Sequence, residues 1–494
     1  MLPPLVKQAA LRTGALLAGK CIGLVGRITL TRLLGAEGIG LYQIAYSFYG
    51  IVLMVVTGGL PTALALFTAK HPSRGWGAFR NISIFVALLG AASGLLVYSY
   101  SGAIAALLGN DELAMAVRCL APALIAVPLL QLLRGYMQGT ARYGIISVSE
   151  LAEQSVRVAL MIMLAALFSS HGIGAALGAG ITGTAIGALV AFLIITVYIA
   201  ASKQIAALSA AQSWSYGSEL SFLLRTSLAI GFTRMLVPAS DFIDSMLIPR
   251  RLQAAGYSVS ESIAMYGVIT GMAVVIAYVP TIVTAALSHT VTMNIAADFQ
   301  QGRMDEYRRS IENVLNLGWT WGILSGMFLF LYANDLSNLI FGTPAAADPI
   351  RYLSAIPLIV GLRELTTSIL WAQERKNSPL MGLIGGIGLS TVLLYFLLAI
   401  PGFGYKAAAI GTLSLETVAV LWNLKALRRK GTALFKMKWI GGDLVLFSGI
   451  MLFVFPSVMQ HVHLNRVAAV AGSMLLYCAC AAFIIGMRIK HFNK

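Results

Sequence analysis

The stretch KCIGLVGRITLTRLLGAEG, from Lys20 to Gly38, combines an apolar helix with two fixed positive charges. Lys20 and Arg27 are seven residues apart, so an α-helix would place them on one face, about 10 Å apart along its axis. An ionisable side chain near the bilayer centre costs on the order of 3 kcal/mol, and such residues usually face a protein interior or a wet cavity. The stretch therefore predicts a membrane helix with a cationic stripe.

Two interpretations of this stripe are open at the level of the sequence. The side chains could snorkel to the membrane surfaces, Lys20 towards the inner surface and Arg27 towards the outer one. Alternatively, both line a cavity, where lysine acts as a point charge and arginine as a fork for phosphate. The predicted first helix contains no acid that could pair with them. This favours the cavity and an anionic substrate.

The composition places the whole chain in a membrane. Of its 494 residues, 58% are hydrophobic and 11% are charged, and the mean hydropathy is +0.82, whereas soluble domains carry about 25% charged residues. The net charge of +16 would suit nucleic acid, but the placement of the basic residues indicates membrane lipid instead. The four cysteines lie in apolar segments without disulfide or zinc-site spacing. They predict buried packing residues and no metal site.

Apolar runs long enough to cross the bilayer recur along the chain. A membrane helix needs about 20 mostly apolar residues. The predicted spans are 13–33, 42–69, 80–100, 114–136, 143–168, 173–200, 219–247, 262–290, 309–332, 350–373, 379–400, 404–425, 439–459 and 465–487. The sequence therefore predicts an all-α polytopic membrane protein with about 14 transmembrane helices.

The positions of lysine and arginine orient these spans. With the N-terminus inside, 22 of the 35 basic residues fall on inner segments and 6 on outer segments, and the rest lie within spans. Inner loops of membrane proteins carry such an excess. We therefore expect both termini inside (N-in, C-in) and a location in the cytoplasmic membrane, where the basic segments meet anionic lipid.

A weak internal repeat predicts two lobes. Gly35–Gly38 is echoed about 218 residues later by Gln253–Gly256, and Tyr136–Gly139 is echoed by Trp371–Glu374. Two six-helix lobes that enter the membrane from the same side form a parallel repeat around a central cavity, as in many secondary transporters. The predicted domains are an N-terminal lobe (1–203), a cytoplasmic linker (204–218), a C-terminal lobe (219–430) and two additional transmembrane helices (431–494).

Charged residues in the fifth and seventh predicted spans are further candidates. Arg234 and Asp241 are seven residues apart and share one helical face. This predicts either a pair across a cavity or an Arg234 that lines the cavity. Glu153 and Arg157 stand at i, i+4 in the favourable order, which predicts an ion pair inside the first lobe.

The tenth and twelfth predicted spans contain Arg363 and Glu416. Arg363 and its neighbour Glu364 point in different directions on a helix, so each needs its own partner. Glu416 is the one acid in its predicted span. It either binds a coupling ion (H+ or Na+) or pairs with Arg118 or Arg363. We expect no other cofactor.

Several motifs resemble one family of membrane transporters. The runs are TRLLGAEGIGLYQIAYSFYG (Thr31–Gly50), LRGYMQGTARYG (Leu133–Gly144), ELAEQSVRV (Glu150–Val158), IDSMLIPRRLQAAGYS (Ile243–Ser258) and GMAVVIAYVPTIVTAALS (Gly271–Ser288). They are similar to the stage V sporulation protein B and polysaccharide-biosynthesis flippase family. That family lies in the superfamily of the lipid II flippase and the multidrug extruders. The likeness covers nearly the whole chain, although Ser47, Gly144 and Met293 stand where prolines are expected.

The resemblance implies two six-helix bundles around a central cavity, plus two terminal helices. It also implies alternating access for a polyprenyl-diphosphate-linked saccharide. In such flippases, basic residues of the first helix meet the diphosphate, and the spacing of the motif carries that role to Lys20 and Arg27. We expect Arg234 to assist them.

We therefore expect a flippase, functional as a monomer, that contacts membrane lipids and cell-wall synthesis enzymes and has no catalytic residues. Three alternatives stay open. A multidrug or small-molecule antiporter would need unpaired acids where the first helix offers bases. A membrane glycosyltransferase would need a long outer loop with a cluster of carboxylates. A non-transporting scaffold for cell-wall synthesis would leave the intramembrane bases unexplained.

Overall fold

The computed structural model describes residues 4–202, 218–428, 441–442, 472, 474–475, 477–479 and 481–486. These residues form helices and turns, and no β-strand occurs among them. The predicted all-α class is therefore confirmed. By its packing, the chain divides into two compact units, unit 1 (1–267) and unit 2 (268–494).

Unit 1 contains the helices that position the predicted cationic stripe. They are α1 (Pro4–Thr57), α2 (Leu60–Lys70), α3 (Gly75–Ser99), α4 (Ser101–Leu108), α5 (Leu113–Leu120), α6 (Ala123–Gly139), α7 (Tyr143–Phe168), α8 (Ile173–Ile181), α9 (Gly183–Ala201), α10 (Ser218–Ala254) and α11 (Val259–Tyr266). Helix α7 packs against both α1 and α9, so it lies at the centre of this unit.

Helix α1 is broken at Gly35. This glycine has φ 71° and ψ −168°, outside the helical region, while the residues on either side are helical. A residue without a Cβ adopts such a conformation without steric cost. The apolar run Gly14–Lys70 has 57 residues, about 85 Å of helix, which is more than twice the hydrocarbon thickness. The break therefore separates the predicted spans 13–33 and 42–69.

Helices α10 and α11 pack through glycines onto the second half of α1 and onto the start of α2. A Cβ at Gly40 would lie 2.2 Å from the carbonyl oxygen of Ile263, and one at Gly59 would lie 2.5 Å from that of Ser227. Small residues let helix backbones approach this closely. The contact explains why residues 218–267 pack within unit 1. The predicted lobe and linker boundaries stay a prediction, because residues 203–217 lie outside the described part.

A π-helical segment spans Gly267–Ala273. Its first residue is the last residue of unit 1, and the remaining residues begin unit 2. The helices that follow are α12 (Val274–Tyr278), α13 (Thr281–Gln300), α14 (Met304–Leu331), α15 (Ala333–Phe341), α16 (Ala347–Tyr352), α17 (Ile356–Ala372), α18 (Asn377–Leu397) and α19 (Gly404–Arg428). Helix α17 packs against α13, α14 and α19. It is therefore the central helix of this unit.

Within the described residues, nine helices are long and apolar enough to cross a membrane, or eleven if two bent pairs each form one span. The bent pairs are α5 with α6, at 41°, and Pro344–Tyr352 with α17, at 49°. They fall on the predicted spans 114–136 and 350–373. The count of fourteen stays a prediction, because spans 439–459 and 465–487 lie largely outside the described residues.

Exposed apolar side chains cover the outer faces of the helices. On α3, for example, Leu88 and Leu95 are each 67% exposed, as suits a surface in contact with lipid. The described cysteines are free thiols, and Cys21 and Cys478 are exposed. The prediction that they are buried packing residues is therefore wrong for these two, because they lie on lipid-facing positions where an apolar side chain needs no burial within the protein.

Candidate functional site

Helix α1 has two exposed stripes before its break. Cys21 and Val25 belong to one stripe, and Lys20 is exposed and Arg27 half-buried on the other. At 100° per residue, the bases lie within about 20° of each other and about 100° or more from the Cys21–Val25 stripe. The two bases therefore face away from the apolar surface of this helix. We call Lys20 and Arg27 the basic stripe.

Three glycines of α1 set the direction of the basic stripe. A Cβ at Gly19 would lie 3.6 Å from Cγ of Gln154, and one at Gly26 would lie 2.9 Å from Val158, both on α7. Gly23 lies between them on the same face and also meets Gln154. Because this face is held against α7, the neighbouring basic stripe lies beside the contact between α1 and α7.

The side chains of the basic stripe have no direct polar partner in the part of the chain that the structure describes. Within the described residues, the side chains of Lys20 and Arg27 form no hydrogen bond and no ion pair. Arg27 acts electrostatically on Asp241 of α10. A ring contact of 6.3 Å between Phe48 and Phe242 holds that part of α10 against the second half of α1. The stripe therefore faces a helix that presents an acid.

The predicted pairing of Arg234 with Asp241 does not occur as an ion pair within the described part of the chain. Both side chains are exposed. The charge that acts on Asp241 is that of Arg27, and Asp241 in turn acts on Asp244, three residues further along α10. The shared helical face was predicted correctly, but a seven-residue spacing on one straight helix keeps the two groups about 10 Å apart.

Glu153 pairs with Arg134 rather than with Arg157. Nη1 of Arg134, on α6, lies 2.6 Å from Oε2 of Glu153, and its Nε donates to Ser149 at 3.0 Å. Arg157 instead donates to Oε1 of Gln154 at 2.5 Å. The predicted i, i+4 pair is therefore wrong, because the carboxylate of Glu153 forms its ion pair with Arg134 of the adjacent helix instead.

The sequence contained a signal for this pair that the spacing argument did not use. Only three residues separate α6 from α7, and so short a connection places two antiparallel helices side by side. Arg134 lies one turn inside α6, with 16% of its side chain exposed.

In unit 2, Arg363 of α17 forms an ion pair with Glu416 of α19. The hydroxyl of Tyr278 donates to the other carboxylate oxygen of Glu416 at 3.0 Å, and the residue is 6% exposed. Of the alternatives for Glu416, the structure therefore shows pairing with Arg363. Tyr278, at the end of α12, was not among the predicted partners.

Glu364, the neighbour of Arg363, has a different partner. Its Oε2 accepts a hydrogen bond from the hydroxyl of Thr284 at 3.0 Å, and one turn further Ser288 and Ser368 are 2.9 Å apart. These contacts join α13 to α17. The two neighbouring charges thus point in different directions, as expected, and both are engaged inside unit 2.

The described residues contain no group of three or more His, Cys, Asp or Glu side chains that could hold a metal ion. The expectations of no metal and of a possible H+ or Na+ coupling ion stay predictions. What the geometry offers chemically is a partly exposed cationic stripe in unit 1 and neutralised arginine–carboxylate pairs elsewhere.

Comparison with a family model gives a match to residues 5–288, which are described as a polysaccharide biosynthesis protein. The match covers more than half of the chain. It includes the basic stripe and the helices α2 to α11 of unit 1, and it agrees with the family that the motifs resemble.

Two relatives from Bacillus subtilis (strain 168) extend the likeness. The chain is 23% identical to stage V sporulation protein B, over 79% of this chain and 77% of that protein. It is 21% identical to the lipid II flippase MurJ, over 96% of this chain and 95% of that protein. Both relatives are matched over most of their length.

Solved structures show the same fold. An inward-facing multidrug resistance MATE family transporter of the MOP superfamily superimposes with a TM-score of 0.66 at 15% sequence identity. The match covers 84% of this chain and 96% of that one. The predicted fold of a multi-pass membrane protein is therefore confirmed.

Proposed function

The chain belongs to the polysaccharide biosynthesis protein family, and we propose that it flips a polyprenyl-diphosphate-linked saccharide across the cytoplasmic membrane by alternating access. The observation that carries this proposal is the basic stripe. Lys20 and Arg27 remain without a hydrogen bond or ion pair among the described residues, on a face turned away from the apolar surface of α1.

The chemistry of these side chains suits a diphosphate. Arginine offers a planar fork of N–H donors that matches phosphate oxygens, and lysine offers a compact point charge. Two long side chains, about 10 Å apart along one helix, can converge on a single diphosphate between them. We assign Arg234, which is exposed on α10, an assisting role in attracting the anion.

The polyprenyl chain stays in lipid while the saccharide head group crosses. A prenyl chain gains about 0.8 kcal/mol for each buried CH₂, so it has no reason to leave the bilayer, whereas the diphosphate needs an internal cationic path. The relative named as a lipid II flippase supports a substrate of this class. We further propose that Asp241 takes part in binding a coupling ion, H+ or Na+, because Glu416 is engaged by Arg363.

The competing antiporter would bind organic cations through unpaired acids. In the described spans, Glu153 and Glu416 are both held by arginines. Asp241 of α10 has Arg27 of the basic stripe as its charge partner, and the first helix presents bases. The geometry therefore favours an anionic substrate. A scaffold for cell-wall synthesis enzymes would not need the basic stripe, and no contact among the described residues favours that role.

The test is flipping of a labelled undecaprenyl-diphosphate disaccharide in proteoliposomes that contain the full chain. Wild type should flip it, and K20A/R27A should lose at least about 100-fold in rate, since each charged contact contributes about 1.5–3 kcal/mol. R32A is the matched control, because Arg32 lies on the other exposed stripe of α1. Wild-type flipping that K20A/R27A leaves unchanged would refute the proposal, as would the absence of flipping by wild type.

A further inference from the structure

Arg157 of α7 is a partly exposed arginine with few protein partners. Its guanidinium carries five N–H donors, and within the described residues it makes one hydrogen bond, from Nη2 to Oε1 of Gln154 at 2.5 Å. The residue is half-buried. An arginine placed inside a membrane protein is costly unless its donors are satisfied, so the remaining donors must meet water or a ligand.

The one carboxylate that acts on Arg157 among the described residues is already bound by another arginine. Arg157 interacts electrostatically with Glu153 and with Tyr46 and Tyr49. However, Glu153 is bound by Arg134 at 2.6 Å. The hydroxyl of Tyr46 contacts that of Thr184, and the hydroxyl of Tyr49 donates to a backbone carbonyl of α6. The charge of Arg157 is therefore not cancelled by a carboxylate of its own.

Gln154 connects Arg157 to the wall of α1 that carries the basic stripe. The side chain of Gln154 lies against Gly19 and Gly23, at 3.6 Å and 4.0 Å from the Cβ positions of these glycines, and Lys20 stands between them in the chain. One hydrogen bond thus separates the guanidinium of Arg157 from the turn of α1 that bears Lys20. The bases of α1 and the arginine of α7 lie at the same level of unit 1.

Close packing on the other side fixes the direction of the arginine. A Cβ at Gly187 would lie 3.2 Å from Cβ of Arg157, and one at Gly183 would lie 2.8 Å from its carbonyl oxygen. Helix α9 therefore closes that side of the residue. The side chain extends to Gln154 and to the tyrosines in the second half of α1.

We propose that Arg157 is a third cation of the diphosphate site, which directs its free N–H donors to phosphate oxygens while Gln154 holds the guanidinium in place. The assignment rests on the proposed function and deepens it, because it makes the site bind a diphosphate from two helices. Lys20 and Arg27 contact the anion from α1, and Arg157 contacts it from α7.

The experiment measures binding of farnesyl diphosphate, farnesyl monophosphate and inorganic pyrophosphate to the purified full chain in detergent. R157Q should weaken farnesyl diphosphate binding about 10- to 100-fold, the range for one charged hydrogen-bonded contact. It should weaken monophosphate binding less, so the preference for diphosphate falls. R157K should be intermediate, because it keeps the charge and loses the fork. R32Q is the control with the same charge change outside the site.

Inorganic pyrophosphate distinguishes a lipid-linked anion from a free one. If it binds as tightly as farnesyl diphosphate and R157Q weakens both, the site takes the diphosphate group whatever its source. If only farnesyl diphosphate binds and R157Q weakens it, the site takes a lipid-linked diphosphate. Both outcomes support the assignment of Arg157.

A structural role for Arg157 makes a different prediction. In that case R157Q and R157K would lower the thermal unfolding temperature, and the folded protein would retain wild-type affinity and diphosphate preference, which would overturn the inference. If K20A/R27A lowers the affinity while R157Q does not, the proposed function stands and this inference fails. If wild type binds neither farnesyl diphosphate nor pyrophosphate, the proposed function itself fails.

Discussion

The basic stripe of α1 and the arginine of α17 show two ways of keeping a positive charge inside a membrane protein. Lys20 and Arg27 have no hydrogen bond or ion pair within the described residues. Arg363 is held by Glu416, whose second oxygen is held by Tyr278. A paired charge is part of the scaffold, since removing one partner leaves the other unpaired in a poor solvent. A charge without a partner is available for an anion that arrives from outside.

The two classes of arginine also occur side by side within unit 1. Arg134 is bound by Glu153 and Ser149, whereas Arg157, on the same helix as Glu153, makes its one hydrogen bond within the described residues to Gln154. Sequence spacing would have paired Glu153 with Arg157. The contact between helices decides which arginine is neutralised and which remains available for a ligand.

The largest expected effect is a difference in flipping rate between variants of the basic stripe and variants of the Arg363–Glu416 pair. K20A/R27A should lower the flipping rate at least about 100-fold, whereas R363M/E416L, which removes the pair as a whole, should keep most of it. The measurement is flipping of the labelled lipid in proteoliposomes with equal amounts of each protein. Equal losses of flipping rate in the two variants would contradict the distinction between a substrate-binding stripe and a structural ion pair. They would favour Glu416 as a ligand of the coupling ion.

The next effect concerns stability in unit 2. E416A leaves the half-buried Arg363 without its carboxylate and should lower the free energy of unfolding by about 3 kcal/mol. R363M/E416L should lie within about 1 kcal/mol of wild type, because neither charge remains. Thermal unfolding in detergent would measure both variants. A single variant as stable as the double variant would show that the pair is not what stabilises this region.

A smaller loss is expected for the corresponding pair in unit 1. E153A should destabilise the protein by about 2 kcal/mol, because the Arg134–Glu153 contact is charged and its side chains are 16% and 10% exposed. Addition of R134M should recover most of this loss. A double-mutant cycle on the unfolding temperature would measure the coupling, and a cycle without coupling would contradict the assigned pair.

The smallest effect should come from Tyr278. Y278F removes one hydroxyl from Glu416 and leaves the ion pair with Arg363 in place. The expected loss is about 1 kcal/mol, as for a typical hydrogen bond, with wild-type flipping. Unfolding of Y278F in the E416L background isolates the contact, since the hydroxyl then has no carboxylate to bind. A loss of the same size there would assign the effect to packing.

The sequence predicted the helices well because the membrane demands long apolar runs, and these are visible in the residues. It also predicted that Lys20 and Arg27 share one face of α1, because both residues belong to the same helix and their spacing fixes the angle between them. The partners of Glu153, Asp241 and Glu416 depend on which helices pack together, and residues far apart in sequence decide that. The bend between α5 and α6 falls at Pro122, a residue that breaks helices and is visible in the sequence.

The break at Gly35 has a consequence for the biogenesis of the protein. Gly19 and Gly23 lie against Gln154, and Tyr46 acts on Arg157 one turn further along α7. Residues on both sides of Gly35 thus reach the same part of α7. The first two spans are therefore neighbours on one helix, and they join at Gly35.

Insertion of the first helix alone would be unfavourable. Its two bases cost about 5–7 kcal/mol at mid-bilayer, and each apolar residue contributes only about 0.3–0.6 kcal/mol. The second span is apolar and follows Gly35 at once, so the translocon receives both as one unit. We expect a chain that ends at Gly38 to insert poorly and one that ends at Gly75 to insert fully, which glycosylation mapping in microsomes would measure. The second helix thereby carries the cationic helix into the bilayer.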